Sequence, residues 1–219
     1  MPSVSRRLSR FIAGLLLSCP VAGCTFLGGD AGAIYEFGKQ AFTARRVTLA
    51  EAASSPYASL GLRVGGSPEI MIILATDSGG EQLWTSAAHV AIVTSAGRVV
   101  RTSGLEHDLG NLVARDRTSG NDQTSIVHWL ADLPELKAYG VPVVCESRPM
   151  RDETIVVLGK PLHTRRIVER CRAEASTFSW SFKNVYWVDP GNGLVWRSIQ
   201  HINPKLDALE LEVLRPPAQ

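Results

Sequence analysis

The sequence lacks the short motifs that identify common catalytic sites. It contains no GxSxG nucleophile elbow, no HExxH zinc motif, no glycine-rich loop followed by Lys and Ser or Thr, and no dinucleotide-binding fingerprint. The histidines are scattered without the spacing of metal ligands, so we expect each to be structural or exposed. These are His89, His107, His128, His163 and His201. The sequence therefore predicts no catalytic residue, no bound metal and no cofactor.

The apolar run near the N-terminus is too short to cross a membrane as a helix. Residues 11–17 are apolar, and Ser18 and Pro20 interrupt the run, whereas a membrane-spanning helix needs about 20 apolar residues. Residues 1–10 carry three arginines and no acidic residue. A basic segment followed by a short apolar run is typical of a secretory signal peptide.

Small residues precede Cys24 in the segment VAGC at residues 21–24, which resembles a bacterial lipobox. We expect residues 1–23 to be the signal peptide and Cys24 to be the lipidation site, carrying acyl chains such as palmitate. Two or more chains anchor a protein stably. One alternative is an ordinary secretory signal with Cys24 as an early cysteine of the mature chain, and another is lipidation at Cys19.

Removal of the signal peptide also removes the positive charge. The mature chain would keep 20 basic residues against 21 acidic ones, a net charge of about −1, so we expect no nucleic-acid partner. Residues 24–32 read as the lipidated N-terminus and a glycine-rich tether. Thr25 and Phe26 lack the aspartate that retains many lipoproteins in the inner membrane, which favours the outer membrane with the protein facing the periplasm.

Two cysteines remain in the mature chain, and an exported protein meets an oxidising compartment. A disulfide between Cys145 and Cys171 would close a loop of 26 residue steps and stabilise the fold by roughly 3 to 4 kcal/mol. The alternative is two buried thiols. If residues 141–146, 154–158 and 165–171 form a three-stranded meander, the outer strands lie about 9 to 10 Å apart. The bond then requires converging strand ends or a curled sheet.

Strand-like runs separated by turn residues occupy most of the chain after residue 60. We predict one mainly β domain at residues 33–219, an antiparallel meander sheet curled into a sandwich or barrel, with one or two short helices. Gly97 stands where a tight hairpin requires a positive φ. The expected strands are residues 60–64, 70–76, 82–86, 89–95, 99–102, 141–146, 154–158, 165–171, 178–188, 194–202 and 209–214.

Three segments depart from the strand pattern. Apolar residues recur at helical spacing in residues 33–45 and again in residues 104–115, which predicts a helix in each. Residues 115–125 contain no apolar residue, and we expect them to form an exposed loop.

Several segments resemble the YjbF/GfcB family of lipoproteins. They are PYASL at 56–60, IILA at 72–75, LW at 83–84, GR at 97–98, RTSGL at 101–105, FKNVYWVD at 182–189, VWRSIQ at 195–200 and LRP at 214–216. The resemblance implies a mainly β outer-membrane lipoprotein with an accessory role in surface polysaccharide production, associated with group-four capsule and exopolysaccharide export operons. It brings no known catalytic residue, and Cys24 matches the family's lipidated cysteine.

Exposed tryptophan rings offer surfaces on which sugar rings stack, although most tryptophans in a β domain belong to the core. The candidate contacts for a glycan or a partner protein are Trp84, Trp187 and Trp196. A polysaccharide-binding module is therefore one rival interpretation.

A periplasmic glycan hydrolase is a further rival, because two carboxylates brought together by the fold could cleave a glycosidic bond. Acidic residues that could meet in this way include Glu81, Asp108, Asp116 and Glu153. Glu210 and Glu212 share one strand face by period two, and we expect them to form the solvated face of an edge strand.

The leading hypothesis is a non-enzymatic lipoprotein that supports capsule or exopolysaccharide assembly or export. Its expected partners are the membrane, through the lipid anchor, and proteins of polysaccharide export or assembly, with a polysaccharide as a further candidate ligand.

Overall fold

The computed structural model describes residues 45–119 and 124–218. The predicted signal peptide, Cys24, the tether and, apart from Arg45, the helix predicted at residues 33–45 lie outside these ranges. In the part of the chain that is described, no helix is both long and apolar enough to span a bilayer.

Within the described residues, twelve antiparallel strands form one sheet. Consecutive strands pair with each other, with the exception of β5 and β6, which form the two edges of the sheet. The first and last strands, β1 and β12, also pair with each other. The strands are β1 (Ser59–Val64), β2 (Ile70–Ser78), β3 (Glu81–Thr85), β4 (Ala91–Ser95), β5 (Arg98–Ser103), β6 (Asn111–Ser119), β7 (Ser125–Leu133), β8 (Ala138–Val157), β9 (Lys160–Glu174), β10 (Ser179–Val188), β11 (Val195–Gln200) and β12 (Leu209–Arg215).

The sheet curls until it nearly closes into a barrel. Its two edge strands are consecutive in the chain, so the connection at residues 104–110 holds the edges together at one end. There the backbone N–H of Thr102 donates to the carbonyl oxygen of Leu109 at 2.9 Å, and the N–H of Leu109 donates to the hydroxyl of Thr102 at 2.8 Å. This architecture confirms the predicted antiparallel, mainly β meander.

Positive φ angles occur at the turns that the glycines mark. Ala96 and Gly97 have φ of 48° and 78°, the combination that a two-residue type I′ hairpin requires, as predicted for Gly97. Gly104, at the start of the β5–β6 connection, has φ of 88°, and a Cβ built on it would lie 2.4 Å from the carbonyl oxygen of His89. Only glycine fits this position without strain.

The helix predicted at residues 104–115 is wrong, and so is the loop predicted at residues 115–125 as far as residues 115–119, which belong to β6 but are exposed as expected. Residues 120–123 lie outside the described ranges. Residues 104–110 form a turn in which the carboxylate of Asp108 accepts hydrogen bonds from the backbone N–H groups of Gly104 and Leu105. Leu109 is buried, and strand β6 begins two residues later. The apolar residues at helical spacing belong in part to the turn and in part to strand β6, so their spacing is coincidental. Strand β6 lacks apolar residues beyond Ala114 because it is an exposed edge.

One α-helix lies within the described residues, α1 (Leu49–Ser54). Thr48 and Glu51 form a capping box at its N-terminus, with the Thr48 hydroxyl accepting from the backbone N–H of Glu51. Helical periodicity could not reveal this helix, because it is six residues long and buries only Ala52. A short 3-10 turn, Pro134–Leu136, precedes β8.

Strand β8 is a single long strand and not the two strands expected at residues 141–146 and 154–158. A register shift between Pro149 and Asp152 bends it. Beyond the bend, the β8–β9 hairpin packs on β10 and β11, where a second small core forms outside the main one. Its buried members are Ile155, Val157, Val185 and Trp187.

Cys145 and Cys171 lie directly opposite each other on the adjacent strands β8 and β9. Their sulfur atoms are bonded, and their Cα atoms are 4.1 Å apart. The intervening strand expected between them was wrong, because residues 154–158 continue β8 and do not form a strand of their own. Direct cross-strand pairing places the two Cβ atoms close together without any convergence of strand ends.

Glu210 and Glu212 were expected to lie on an edge strand, and this prediction is wrong. Their strand, β12, pairs with both β1 and β11. Glu210 binds Arg46 and Arg63, while Glu212 binds Arg197. Burial tends to raise the pKa of Glu210, but its two arginines lower it on balance. Burial raises the pKa of Glu212 even though Arg197 opposes the shift.

Candidate functional site

A cavity of about 820 Å³ opens between the two edge strands of the sheet. The edges are held together at Thr102 and Leu109, and the cavity lies beside β5 and β6 and against β7 to β10. A volume of this size is within the range of about 300 to 1,000 Å³ that is usual for small-molecule sites. The cavity is therefore the candidate site.

A buried carboxylate, that of Glu169 on β9, lies at the floor of this cavity, with 1% of its side chain exposed. Its Oε1 accepts hydrogen bonds from Arg98 at 2.5 Å and from the Ser147 hydroxyl at 3.0 Å. Its Oε2 accepts from the Asn184 amide at 3.0 Å and from the Tyr186 hydroxyl at 3.4 Å. A buried charge with this many partners is well compensated.

The ionisation states at the floor follow from these contacts. Burial alone tends to raise the pKa of Glu169, but the charge of Arg98 and the hydrogen bonds from Arg98, Asn184 and Ser147 lower it on balance. Burial also raises the pKa of Tyr186. At neutral pH the site therefore holds a carboxylate, a guanidinium and an uncharged phenol.

The guanidinium of Arg98 is held in place on three sides. Its central carbon lies 4.6 Å from the centre of the Trp129 ring and 5.4 Å from that of Tyr186, distances at which a cation is attracted to an aromatic face. Within the described residues, the hydrogen bond to Glu169 is the one side-chain hydrogen bond that Arg98 donates. The side chain is 17% exposed, and it borders the cavity.

The edge strand β5 is further fixed by Gln200 of β11. The side-chain oxygen of Gln200 accepts from the backbone N–H of Val99 at 2.9 Å, and its amide nitrogen donates to the carbonyl of Gly97 at 2.9 Å. Backbone groups at the edge of a sheet otherwise remain unpaired. Gln200 thus holds the start of β5, and with it Arg98, against the opposite wall.

Two exposed arginines lie nearer the mouth of the cavity. Arg101 is 3.8 Å from Glu81, and Arg117 stands on β6. Together with Arg98 and Glu169, these residues give the charged lining three arginines and two glutamates, a net charge of +1.

The three tryptophans singled out from the sequence do not form one exposed face. Trp84 is 2% exposed, and its ring nitrogen donates to the hydroxyl of Thr94 at 2.9 Å. Trp187 is 9% exposed and belongs to the small core beneath the β8–β9 hairpin. Trp196 is partly buried and donates to Asp189 at 3.3 Å. The cavity does not include any of the three.

The carboxylates considered for a hydrolase do not gather in the cavity either. Glu81 alone among them borders it. Asp108 is engaged by the turn at residues 104–110, Asp116 is exposed beside His128, and Glu153 lies in the outer half of β8.

Cys145, Glu169 and Cys171 bring three metal-binding residue types within 4.8 Å of one another. Both cysteine sulfurs are committed to the disulfide bond, and the carboxylate is committed to Arg98. Because a cysteine binds a metal ion as a thiolate, the disulfide leaves neither sulfur available as a metal ligand.

Sequence reasoning did not single out Arg98, Trp129, Glu169 or Tyr186 as candidate site residues. One signal was present. Ile167, Glu169, Cys171 and Ala173 share one face of β9 by period two, so a carboxylate interrupts an apolar inward face. The arginine that pairs with it lies on a strand that is not adjacent, which the pattern of β9 could not show.

A family model described as the group 4 capsule polysaccharide lipoprotein gfcB, YjbF, matches residues 35–214. No curated protein matches the chain by sequence. The crystal structure of the hypothetical lipoprotein YmcC from Escherichia coli (K12) superimposes with a TM-score of 0.61 at 16% sequence identity, covering 88% of this chain and 99% of that one. This likeness shows the fold.

A further structure, of a protein described as exported and as having a YmcC-like fold, comes from Bacteroides fragilis NCTC 9343. It covers 80% of this chain and 98% of its own, with a TM-score of 0.37 and 8% identity.

Proposed function

Because the chain belongs to the YjbF family of group 4 capsule polysaccharide lipoproteins, we propose that it is an outer-membrane lipoprotein with an accessory, non-enzymatic role in capsule or exopolysaccharide assembly or export. The observation that carries the proposal is the match over residues 35–214, which includes the whole sheet apart from the last residue of β12.

The N-terminal sequence supplies the anchor in this proposal. Cys24, preceded by small residues, receives the acyl chains, and the segment at residues 24–32 links it to the β domain. Thr25 and Phe26 favour the outer membrane, with the domain in the periplasm. A protein held there can contact components of polysaccharide export or assembly, and these are its proposed partners.

The chemistry of the cavity supports binding over hydrolysis. A glycosidase usually needs one carboxyl group that remains protonated at working pH as the general acid. Glu169 is the buried carboxylate of the cavity, and its pKa is lowered, although burial opposes this, by Arg98 and by hydrogen bonds from Asn184 and Ser147. Those three donors, together with the Tyr186 hydroxyl, also occupy the oxygens that would have to reach a substrate.

Deletion of the gene tests the proposal. We expect the deletion strain to lose or reduce its surface polysaccharide, and we expect the wild-type gene to restore it. A deletion strain with normal surface polysaccharide would count against the accessory role. Fractionation of the protein with an inner-membrane marker would count against the proposed location.

The hydrolase alternative has a separate test, in which the purified protein is incubated with purified polysaccharide. We expect no release of reducing ends above the rate without protein. Release that requires Glu169 or Glu81 would replace the non-enzymatic role with a hydrolytic one.

A further inference from the structure

We infer that the cavity between β5 and β6 binds an acidic sugar residue of a polysaccharide chain, with the guanidinium of Arg98 contacting the sugar carboxylate. This inference rests on the proposed function for the identity of the polymer class. The anion preference rests on the geometry of the cavity itself.

Arg98 is held in a position from which it can bind an anion. The rings of Trp129 and Tyr186 flank its guanidinium at 4.6 and 5.4 Å, and the bond to Glu169 fixes one of its nitrogens. A guanidinium presents five N–H donors in a rigid fork that matches a carboxylate. Its position is therefore fixed before a ligand arrives, and donors remain on a side chain that borders the cavity.

Glu169 holds Arg98 and does not exclude a second anion. Its two oxygens are shared among four donors, of which Arg98 is one. The remaining charge in the cavity is positive on balance, because Arg101 and Arg117 at the mouth outnumber Glu81. A carboxylate that enters therefore meets fixed donors at the floor and cations near the opening.

The shape of the cavity fits a polymer. It lies between two strand edges that are joined near Thr102 and Leu109, and as far as the described residues extend, it is an open slit between those edges. An internal residue of a chain can enter such a slit sideways, whereas a closed pocket admits only a chain end. Hydroxyl-bearing and amide side chains line it beside apolar ones, among them Asn111, Ser125 and Ser147.

An acyl chain is a poorer occupant. Hydrocarbon packed on the floor would remove water from the Arg98–Glu169 pair and give no hydrogen bond in return, which is costly. A sugar supplies hydroxyl groups and, when acidic, a carboxylate for the donors that remain on Arg98.

Binding of matched oligosaccharides tests the inference. The purified mature lipoprotein in detergent is titrated with tetramers of galacturonate, glucuronate and mannuronate, and with their methyl esters, while tryptophan fluorescence is recorded. We expect at least one acid tetramer to bind roughly tenfold or more tightly than its ester, because charge-assisted hydrogen bonds are lost in the ester. Equal affinity for acid and ester, or no binding by any tetramer, would overturn the inference.

Variants locate the site. Arg98→Gln should weaken binding of the acid tetramer at least tenfold, whereas Arg172→Gln should not change it. Arg172 is exposed and pairs with Glu174 outside the cavity. Equal losses in the two variants would indicate general charge attraction and would overturn the assignment to the cavity.

The variant must also be folded, since Arg98→Gln leaves Glu169 without its cation. The double variant Arg98→Gln/Glu169→Gln removes both charges, and a far-UV spectrum and an unfolding curve are recorded for it. We expect the folded double variant to have lost the preference for acid over ester. A folded double variant that keeps the preference would overturn the role of Arg98.

Inorganic phosphate separates an anion site from a sugar site. We expect phosphate to compete only weakly with the acid tetramer, because it lacks the ring that contacts the cavity wall. Competition at equal concentrations would show a simple anion site and overturn the sugar assignment.

The outcome of these titrations is independent of the deletion experiment. Loss of surface polysaccharide in the deletion strain without binding in vitro would leave the accessory role standing and remove the sugar site. Binding in vitro with normal surface polysaccharide in the deletion strain would do the reverse.

Discussion

The guanidinium of Arg98 on β5 lies 2.5 Å from the carboxylate of Glu169 on β9, although the two strands are not neighbours in the sheet. Strand β5 is one edge of the sheet, and β9 belongs to the opposite wall. The ion pair therefore crosses the interior of the curled sheet, and it holds in place the Arg98 guanidinium that we propose contacts the sugar carboxylate.

Loss of Arg98 should destabilise the protein strongly. Arg98→Met leaves a buried carboxylate without its cation, and we expect the free energy of unfolding to fall by about 3 to 5 kcal/mol. The double variant Arg98→Met/Glu169→Gln should be more stable than Arg98→Met, because the second change removes the unpaired charge. Denaturant unfolding followed by tryptophan fluorescence measures both. A single variant within about 1 kcal/mol of the wild type would contradict a structural role for the pair.

The same pair should make stability depend on acidity. Burial tends to raise the pKa of Glu169, but Arg98 and the hydrogen bonds outweigh it, so the pKa is lower in the folded state than in the unfolded chain. A lowered pKa contributes stability that is fully present above the unfolded value and is lost as the pH falls through the folded value. We therefore expect the unfolding free energy to decrease below about pH 4.5.

Glu169→Gln should reduce this acid dependence, and it should also lower stability at neutral pH. Unfolding curves at pH 7, 5, 4 and 3 provide the measurement. Glu174→Gln, which changes an exposed carboxylate on the same strand, is the control. An unchanged slope in Glu169→Gln would show that other groups determine the acid sensitivity.

The bond between Cys145 and Cys171 should contribute substantially to stability. It closes a loop with a sequence separation of 26, so the double variant Cys145→Ala/Cys171→Ala should lose roughly 3 to 4 kcal/mol in free energy of unfolding. The denatured, unreduced mature protein should also contain no titratable thiol. A count of two thiols would show that the bond does not form in the cell.

Gly104 should resist substitution more than other turn glycines. Gly104→Ala forces an alanine to φ of 88° and places its Cβ beside the carbonyl oxygen of His89, so we expect a loss of about 2 kcal/mol or more. Gly80→Ala, at φ of 81° in open space, measures the backbone cost alone. Gly66→Ala has neither a positive φ nor a close neighbour, and it should change stability by no more than about 0.5 kcal/mol. Equal losses in all three variants would contradict the contact at Gly104.

The sequence was sufficient to predict most strands because their patterns are local. Residues 178–188 alternate or carry continuous apolar character, and the hairpin at Gly97 has its glycine where φ is positive. Period-two patterns and turn residues are properties of neighbouring positions. The confirmed fold class follows from such signals repeated along the chain.

Features that depend on distant parts of the chain could not be predicted in this way. Strand β6 reads as a polar loop because, as an edge strand, it has no buried face beyond its first residues. The pairing of β1 with β12 turned an expected edge into an interior strand. The cavity brings together Arg98, Trp129 and Glu169 from three different strands, and no sequence spacing relates them.

The last prediction concerns the anchor at Cys24. Cys24→Ser should abolish lipidation, because a serine oxygen cannot form the thioether that precedes cleavage by the lipoprotein signal peptidase. Labelling of cells with a radioactive fatty acid, followed by capture of the protein, measures the modification directly. We expect label on the wild-type protein and none on Cys24→Ser, and we expect Cys19→Ser to retain the label as the matched control. The Cys24→Ser gene should also fail to restore surface polysaccharide in the deletion strain, since the β domain would no longer be held at the membrane. Label that persists on Cys24→Ser and disappears from Cys19→Ser would place the anchor at Cys19, five residues earlier in the sequence.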